Sequence, residues 1–212
     1  MEFKTNQIEN LQAPLNKKHV RERQGGGGMT LSYIEGHHAI REANRIFGFG
    51  GWDRETISLE KLREPTEVNG KWNIDYMAQV RITVGDSLVR EGTGYGNGIG
   101  GKFGQAAELA IKEAETDAMK RALMTFGNQF GLALYDKQQE HVVDVEKEEW
   151  KSWADKAIAE AGEIRDQIDL DRWFKDFEED YKRCFATNKA QGQRVNTTIA
   201  KMKAQIETAN AA

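Results

Sequence analysis

Hydrophobic periodicity predicts an antiparallel sheet in the middle of the chain. Residues Lys71–Val84 alternate between apolar and polar positions, which is the pattern of a strand with one buried face. The apolar positions are Tyr76, Ala78, Val80, Ile82 and Val84. Strand signals also occupy the segments Trp52–Leu62 and Ser87–Tyr95, so we predict one strand in each of them.

The connection between the last two predicted strands suggests a register. Gly85-Asp86 has the composition of a two-residue hairpin loop with glycine first, and such a loop would place Arg81 opposite Arg90. Like charges directly opposite each other destabilise a strand pair. An exposed arginine pair therefore indicates an anionic partner on the face away from the core. The alternative is a solvated face with a carboxylate between the two arginines.

Helical periodicity precedes the predicted sheet. Ile34–Phe47 is predicted to form an amphipathic helix that ends at Gly48. Asn6–Val20 has a weaker helical pattern, because Pro14 interrupts it. Between these two segments lie the four glycines Gly25–Gly28, which indicate either a flexible linker or a hinge-like loop with cations beside it.

A glycine-dense run, Gly94–Gly104, leads into a long helical pattern that extends to Phe126. The apolar stripe of this helix consists mainly of alanines: Ala107, Ala110, Ala114, Ala118 and Ala122. The same helix carries Lys112, Lys120 and Arg121 away from that stripe. Backbone N–H groups in a glycine loop, placed at the positive end of a helix dipole, are suited to an anion such as phosphate.

The C-terminal third is predicted to be helical. After a polar linker over 136–147, amphipathic patterns occupy 150–164, 170–181 and 195–206. Asp169 is the predicted cap of the second helix, and Gly192 lies in the predicted break before the third. The whole order predicts an α+β fold, with three antiparallel strands and a long packed helix followed by helices. We divide the chain into a first domain, 1–141, and a helical extension, 142–212.

Composition excludes some classes of protein. No apolar run approaches the ~18 residues that a membrane-spanning helix needs, so no membrane partner is expected. Cys184 is the single cysteine and cannot form an internal disulfide, which favours a reducing, intracellular location. The net charge of −4 argues weakly against nucleic acid, so any basic surface must arise from folding.

The residues support no catalytic constellation and no metal site. His37 and His38 are adjacent, so on a helix they point about 100° apart rather than toward one metal. The run Gly96–Gly101 matches the glycine pattern of a dinucleotide fingerprint, but it follows a predicted hairpin strand instead of lying in a parallel βαβ unit. A nucleotide-binding enzyme that uses the Gly94–Gly104 loop stays open as the alternative function.

A series of short motifs resembles the conserved N-terminal domain of the Rad-fifty-two recombination proteins, over roughly Arg21–His141. The motifs are Tyr33-Ile34-Glu35-Gly36-His37, Ala43-Asn44, Phe47-Gly48, Gly51-Trp52, Gly94-Tyr95-Gly96, Glu113-Ala114, Thr116-Asp117, Lys120-Arg121-Ala122-Leu123, Phe126-Gly127-Asn128 and Asp136-Lys137. The resemblance implies a β-β-β-α core that assembles into a homo-oligomeric ring. It further implies ATP-independent binding of single-stranded DNA and annealing of complementary strands in homologous recombination and double-strand break repair, without enzyme activity, cofactor or metal.

The resemblance also implies which cations contact DNA. Arg23, Lys120 and Arg121 match the cations of the family's inner, single-strand groove, whereas a further family arginine is Met124 in this chain. For the second, outer site the matches are Lys71, Lys137 and, approximately, Lys102, while a family arginine falls on His141. Arg81 and Arg90 are further candidates from the strand pattern.

Residues 142–212 lie outside the resemblance. One hypothesis is an acidic helical tail that binds a partner such as a single-strand-binding protein or a helicase, and the other is a structural helical cap. The compact sequence suggests a bacterial or phage source, with the protein in the cytoplasm or the nucleoid. Ring stoichiometry and partner proteins do not follow from the sequence.

Overall fold

The computed structural model describes residues 2–210, which form two compact units. The first unit ends at Val143 and the second begins at Asp144. The helices are α1 (Thr5–Gln12), α2 (Gly36–Phe47), α3 (Phe103–Met124), α4 (Val145–Ala161), α5 (Gln167–Thr187) and α6 (Lys189–Asn210). The strands are β1 (Leu15–Asn16), β2 (Val20–Gln24), β3 (Thr30–Ile34), β4 (Trp52–Lys61), β5 (Thr66–Val68), β6 (Lys71–Val84), β7 (Leu88–Gly100) and β8 (Val142–Val143).

The main sheet of the first unit is antiparallel and is built around β6. Strand β7 pairs along the whole length of β6 on one side, and β4 and β5 pair with successive parts of β6 on the other. The sheet therefore has four strands where the sequence predicted three. The missed strand, β5, has only three residues, which is too short for an alternating pattern to show. It reaches β6 through a tight turn in which Asn69 and Gly70 both have positive φ.

The register between β6 and β7 differs from the prediction by one residue. Val84 pairs with Leu88, so the connection has three residues rather than two. Arg81 consequently lies opposite Glu91, and the predicted Arg81–Arg90 pair is wrong. A slip of one residue moves every side chain of a strand to the other face. Arg90 therefore shares the helix-covered face with Ile82, its partner on β6.

The predicted glycine loop is also wrong, because most of it belongs to a strand. Strand β7 continues to Gly100, and only Gly101 and Lys102 separate it from α3. A Cβ atom added to Gly96 would lie 2.0 Å from the carbonyl oxygen of Ala110. The glycines instead allow the backbone of β7 to touch the backbone of α3.

Alternate glycines of β7 meet a stripe of alanines on α3. Gly92, Gly94 and Gly98 have the same crowded environment as Gly96. The opposing stripe is fully buried and consists of Ala106, Ala110, Ala114, Ala118 and Ala122. The sequence predicted four of these alanines, with Ala107 in place of Ala106. Small residues on both elements explain how a long helix and a long strand pack closely from Ala106 to Ala122 of α3 and from Gly92 to Gly98 of β7.

The core of the first unit lies between β6, α2 and α3. Ala78, Val80, Ile82 and Val84 of β6 are buried as the alternation predicted, and Tyr76 is half-buried. Helix α2 starts two residues later than predicted and ends at Gly48, whose φ of 90° marks the predicted stop. Helix α1 ends at Gln12, before Pro14 instead of at Val20.

Gly25–Gly28 belong to the connection of a β-hairpin and are not a linker between separate segments. Strands β2 and β3 pair over five residues, from Val20 with Ile34 to Gln24 with Thr30. Gly27 and Gly28 have positive φ values of 71° and 79°, which a tight connection needs and which glycine adopts without strain. The hairpin adds a strand pair that the sequence analysis did not predict.

The second unit consists of the three predicted helices, α4 to α6. Its core is aromatic and aliphatic, with Trp173, Leu170 and Val195 buried. The side chain of Asp166, not Asp169, caps α5 by accepting a hydrogen bond from the Asp169 N–H at 2.9 Å. Gly192 lies inside α6, because the break before that helix falls at Asn188.

Cys184 is buried in this unit, and burial raises the pKa of its thiol, in agreement with an unreactive side chain. Among the described helices, none is both long and apolar enough to cross a membrane.

Candidate nucleic-acid interface

Two of the three predicted inner-groove cations meet at one tyrosine. The guanidinium carbon of Arg23 lies 5.7 Å from the centre of the Tyr33 ring, and Nζ of Lys120 lies 5.6 Å from the same centre. Both distances are within the range of a cation–π contact. Tyr33 thus joins a cation of the β2–β3 hairpin to a cation of α3.

The local structure explains how these residues come together. Arg23 lies diagonally across the hairpin from Tyr33, whose direct partner is Arg21. Strand β3 then leads to Gly36, where an added Cβ would lie 2.8 Å from Cγ2 of Thr116 on α3. Thr116 is one helical turn before Lys120, so this close approach brings the hairpin to that lysine.

The charges of these cations are not balanced by ion pairs. Across residues 2–209, no carboxylate lies within 4 Å of the charged atoms of Arg23, Lys120 or Arg121. By contrast, Lys112 on the same helix forms an ion pair with Glu108. Unpaired cations are available for an anion, whereas a paired lysine must first release its carboxylate.

Lys120 is partly buried and its environment opposes its charge. Burial is the main cause that lowers the pKa of Lys120 below its ordinary value, and the positive charge of Arg23 adds to the effect. Asp117 and Glu113 act in the opposite direction. An anion bound beside Lys120 would relieve this unfavourable interaction. Arg121 is the next residue and is exposed, so the two adjacent cations have different environments.

The two cations taken from the strand pattern have separate environments. Arg81 donates to Oε1 of Glu91 through Nε at 2.9 Å and Nη2 at 2.7 Å, and its Nη1 lies 3.5 Å from Glu55. Its charge is therefore balanced on the open face of the sheet. The guanidinium carbon of Arg90 lies 5.5 Å from the centre of the Phe126 ring, near the C-terminal end of α3.

The predicted outer-site lysines divide between the two ends of α3. Lys71 begins β6 and Lys102 immediately precedes α3, and the pairing of Trp72 with Gly100 brings these two segments together. Lys102 and Lys120 are separated by about 27 Å along the helix, at about 1.5 Å per residue. Lys137 follows Asp136, which lines a cavity together with Phe126 and Gly127 just beyond the C-terminal end of α3, so within one chain Lys137 does not join the other two lysines.

The open face of the sheet is polar around Asp75, which is 4% exposed. Oδ1 of Asp75 accepts hydrogen bonds from Tyr95 at 2.8 Å and Asn97 at 2.6 Å, and Arg63 binds its other oxygen. Burial acts to raise the pKa of Asp75, but these hydrogen bonds outweigh it and lower the pKa. The hydrogen bond that Tyr95 donates to Asp75 raises the pKa of Tyr95. The Tyr95 ring is half-exposed beside this carboxylate, and Phe103 packs edge-on against Trp72.

The structural basis of the alternative enzyme function is lost, because the glycine run is a strand in an antiparallel hairpin that packs against α3. A phosphate-binding loop at a helix N-terminus needs free backbone N–H groups. The N–H of Asn97 is already bonded to Glu113 at 3.0 Å. In the described part of the chain, no group of three potential ligand side chains is arranged to hold a metal ion.

Tyr33 is the residue of this site that the sequence analysis did not assign. Tyr33 belongs to one of the matched motifs, but its position in the site depends on the β2–β3 hairpin. The four glycines between the two strands predict a linker or a hinge rather than a hairpin turn. A stronger signal was available in the sequence. The segments on either side of the glycines, 20–24 and 30–34, are of equal length and flank a turn-forming composition.

The fold and its free cations define a class: an α+β protein whose hairpin and long helix together present a surface suited to a phosphate backbone. The chain belongs to the Rad52/22 family of double-strand break repair proteins, whose family model matches residues 4–152. That match includes the first unit from its first helix onward and ends within α4.

Three fungal proteins illustrate the similarity. The DNA repair and recombination protein RAD52 of Saccharomyces cerevisiae is 41% identical over 137 residues, which are 62% of this chain and 29% of that protein. The protein rad22 of Schizosaccharomyces pombe is 42% identical over 135 residues, 60% of this chain and 28% of the relative. RAD52 of Eremothecium gossypii is 41% identical over 135 residues, 61% of this chain and 31% of the relative.

This chain therefore matches less than a third of the length of each of these relatives. Their fungal origin gives no support to the bacterial or phage source that the sequence analysis predicted, nor to a location in a bacterial nucleoid.

Proposed function

We propose that this chain binds single-stranded DNA and anneals complementary strands in homologous recombination and double-strand break repair, without nucleotide or metal. The observation that carries the proposal is the cluster of Arg23, Lys120 and Tyr33, with Arg121 adjacent. Its unpaired cations suit a phosphate backbone. Family membership and the names of the relatives, which are DNA repair and recombination proteins, support the same conclusion.

The mechanism follows from what annealing requires. A protein that grips phosphates and leaves base edges free allows a second strand to test those bases. Arg23 and Lys120 approach from two elements, so phosphates are held between the hairpin and the helix, with Arg121 exposed beside them. Such contacts are independent of sequence and strongly dependent on salt.

A homo-oligomeric ring is part of the proposal, and two unpaired sheet edges support it. Among the described residues, no strand pairs with the outer edge of β4 or of β7. Exposed apolar side chains lie along both edges, Ile57 and Leu59 on β4 and Tyr95 and Ile99 on β7. Pairing of the two different edges would be a head-to-tail contact, which generates rings when it closes. Repetition would then align the cations of successive subunits despite the net charge of −4.

Lys71 and Lys102 are proposed as a second, weaker DNA contact at the other end of α3, and Lys137 as a separate one. Each is exposed. We do not extend the proposal to Arg81, because Glu91 and Glu55 already balance its charge. The proposed place of action is the compartment of the cell that holds its DNA.

The test is annealing of two complementary fluorescent oligonucleotides without nucleotide or metal, with the particle mass measured in parallel. The variant Lys120→Ala/Arg121→Ala is expected to lose annealing and to bind single strands more weakly. Removal of two phosphate contacts should reduce the slope of log affinity against log salt by about 1.4, at about 0.7 per contact.

The matched control is Lys112→Ala, which removes one cation from the same helix but one already paired with Glu108. It is expected to anneal like the unchanged protein. Normal single-strand affinity in the double variant, with an unaltered salt slope, would refute the assignment of the site. Absence of binding and annealing by the unchanged protein would refute the function itself.

A further inference from the structure

Phe49 is an aromatic side chain that lies outside the hydrophobic core. It is 89% exposed, more than any other large apolar side chain in the part of the chain that the structure describes. A phenylalanine in this position contributes little to the core and presents its ring to solvent. Isolated apolar residues at a surface are ordinary, so the argument depends on how this one is held and on what surrounds it.

The turn that carries Phe49 is held by its neighbours on both sides. The N–H of Gly51 donates to the carbonyl oxygen of Gly48 at 3.1 Å, and the N–H of Gly85 donates to that of Gly51 at 2.9 Å. The turn is also tightly packed, because a Cβ on Gly51 would lie 2.0 Å from the carbonyl oxygen of Phe47. The ring of Phe49 is therefore presented by a fixed backbone rather than by a loose loop.

The turn that carries Phe49 lies at the same end of the first unit as the cations Arg90 and Arg121. Phe47, two residues before Phe49, packs against Phe126 with 5.3 Å between ring centres, and Arg90 lies over the same Phe126 ring. Arg90 precedes Gly92 by two residues on the same face of β7, and a Cβ on Gly92 would lie 3.0 Å from the carbonyl carbon of Arg121. Phe49, Arg90 and Arg121 thus belong to one end of the sheet and helix.

These surroundings favour a nucleobase over a protein as the partner of Phe49. A protein-binding hot spot is normally enclosed by other contacts that exclude water. Phe49 is instead flanked by Gly48, Gly50 and Gly51, so no side chain of its own turn encloses the ring. A rigid, exposed aromatic ring near cations is the arrangement with which proteins stack the bases of single strands.

We propose that Phe49 stacks on a base of the bound single strand, and so contacts the nucleic acid beyond the phosphate-binding cluster at Tyr33. This inference rests on the proposed function. It adds a contact to a base face, which every base offers, and therefore leaves the base edges free for pairing. The strand would run from the Arg23–Lys120 cluster past Arg121 and Arg90 to the turn.

The experiment measures how tightly the full chain and its Phe49→Ala variant bind two labelled oligonucleotides. One is a normal oligothymidylate, and the other is an abasic oligonucleotide with the same backbone and no bases. On the normal oligonucleotide, Phe49→Ala is expected to weaken binding by about 5- to 150-fold, the usual effect of losing one stacked base. The salt slope should stay unchanged, because a phenyl ring neutralises no phosphate. On the abasic oligonucleotide the two proteins should bind equally, and Phe49→Trp should restore binding to the normal one.

The controls separate this inference from the proposed function. Val68→Ala changes another exposed apolar side chain, 62% exposed and at the opposite end of the sheet, and should have no effect. Equal binding of the normal oligonucleotide by Phe49→Ala and the unchanged protein would overturn the role of Phe49 but not the function. A smaller particle mass for Phe49→Ala would assign the ring to a contact between copies and would also overturn it. If the unchanged protein binds neither oligonucleotide, the proposed function fails as well.

Discussion

Replacement of Gly96 by alanine tests the contact between β7 and α3 that organises the first unit. The new Cβ would lie 2.0 Å from the carbonyl oxygen of Ala110 and 2.5 Å from the backbone nitrogen of Ala114. Both neighbours are helix backbone, so no side chain can rotate away. The helix must move by more than 1 Å, and that movement would open the glycine–alanine contacts on either side of Gly96.

The expected cost follows from this geometry. Adding one methyl group to a well-packed core typically costs about 1–3 kcal/mol, and the backbone clash at Gly96 places this substitution at or above the upper end of that range. For a chain of this size, 3 kcal/mol corresponds to a fall in Tm of about 6–12 °C. The β7–α3 contact also holds Lys120 and Arg121 relative to β7, so single-strand binding should weaken together with stability.

Thermal and urea unfolding of Gly96→Ala and two glycine controls provide the assay. An alanine Cβ at Gly101 or at Gly104 would meet nothing within 4 Å, and neither glycine has a positive φ. Gly101→Ala should therefore be nearly neutral. Gly104→Ala, within the first turn of α3, should stabilise the chain by up to about 1 kcal/mol through helix propensity. If Gly96→Ala unfolds at the same temperature as Gly101→Ala, the close packing of the two backbones is not present in solution.

Three further predictions concern pH and the second unit. Because the pKa of Lys120 is lowered from 10.5, the affinity for single-stranded DNA should fall as the pH rises through this lowered pKa. The variant Lys120→Arg should keep its affinity over the same pH range, since arginine stays charged. If affinity falls with pH equally in both proteins, deprotonation of Lys120 is not the reason. Burial, with a smaller contribution from His19, lowers the pKa of His38 from 6.5 to about 4. As the pH falls, His38 is protonated in the unfolded chain before it is protonated in the folded chain, so the free energy of unfolding should fall by up to about 3 kcal/mol between about pH 6.5 and pH 4. Urea unfolding of His38→Leu should show a loss of stability over this pH range that is smaller by this amount. If the variant and the unchanged protein lose the same stability, another group causes the loss. Finally, removal of residues 144–212 should leave the Tm of the first unit, the number of subunits per particle and annealing intact, because the chain divides between Val143 and Asp144. Fewer subunits per particle, after allowing for the mass removed, or a loss of annealing would give the second unit a structural role.

The sequence predicted those parts of the fold that depend on one element at a time. The alternation along 71–84 identified the buried face of β6, because side chains of a strand point to opposite faces whatever its neighbours are. Gly48 ended α2 and three apolar patterns gave the three helices of the second unit for similar local reasons. The motif series identified the family, because its matches depend on residue order alone.

The errors arose where two segments had to be considered together. The β6–β7 turn has one residue more than predicted, so Arg81 lies opposite Glu91 and not opposite Arg90. The register depends on which turn forms, and the composition of the strands does not specify it. The glycine run by itself predicts a loop, because glycine is unfavourable in an isolated strand. Only the presence of α3, with its alanine stripe, makes a strand with glycine at alternate positions favourable.

The candidate site shows the same division. The resemblance predicts Arg23, Lys120 and Arg121 as contacts to DNA, and positive residues are the type that a phosphate backbone would require. Which of the cations are free was decided by tertiary structure alone: Arg81 lies beside Glu91, whereas Arg23 and Lys120 lie against Tyr33. Electrostatic energy depends on distances between groups far apart in the chain. The sequence therefore determined which charges the protein carries, and the tertiary structure decided where those charges remain available.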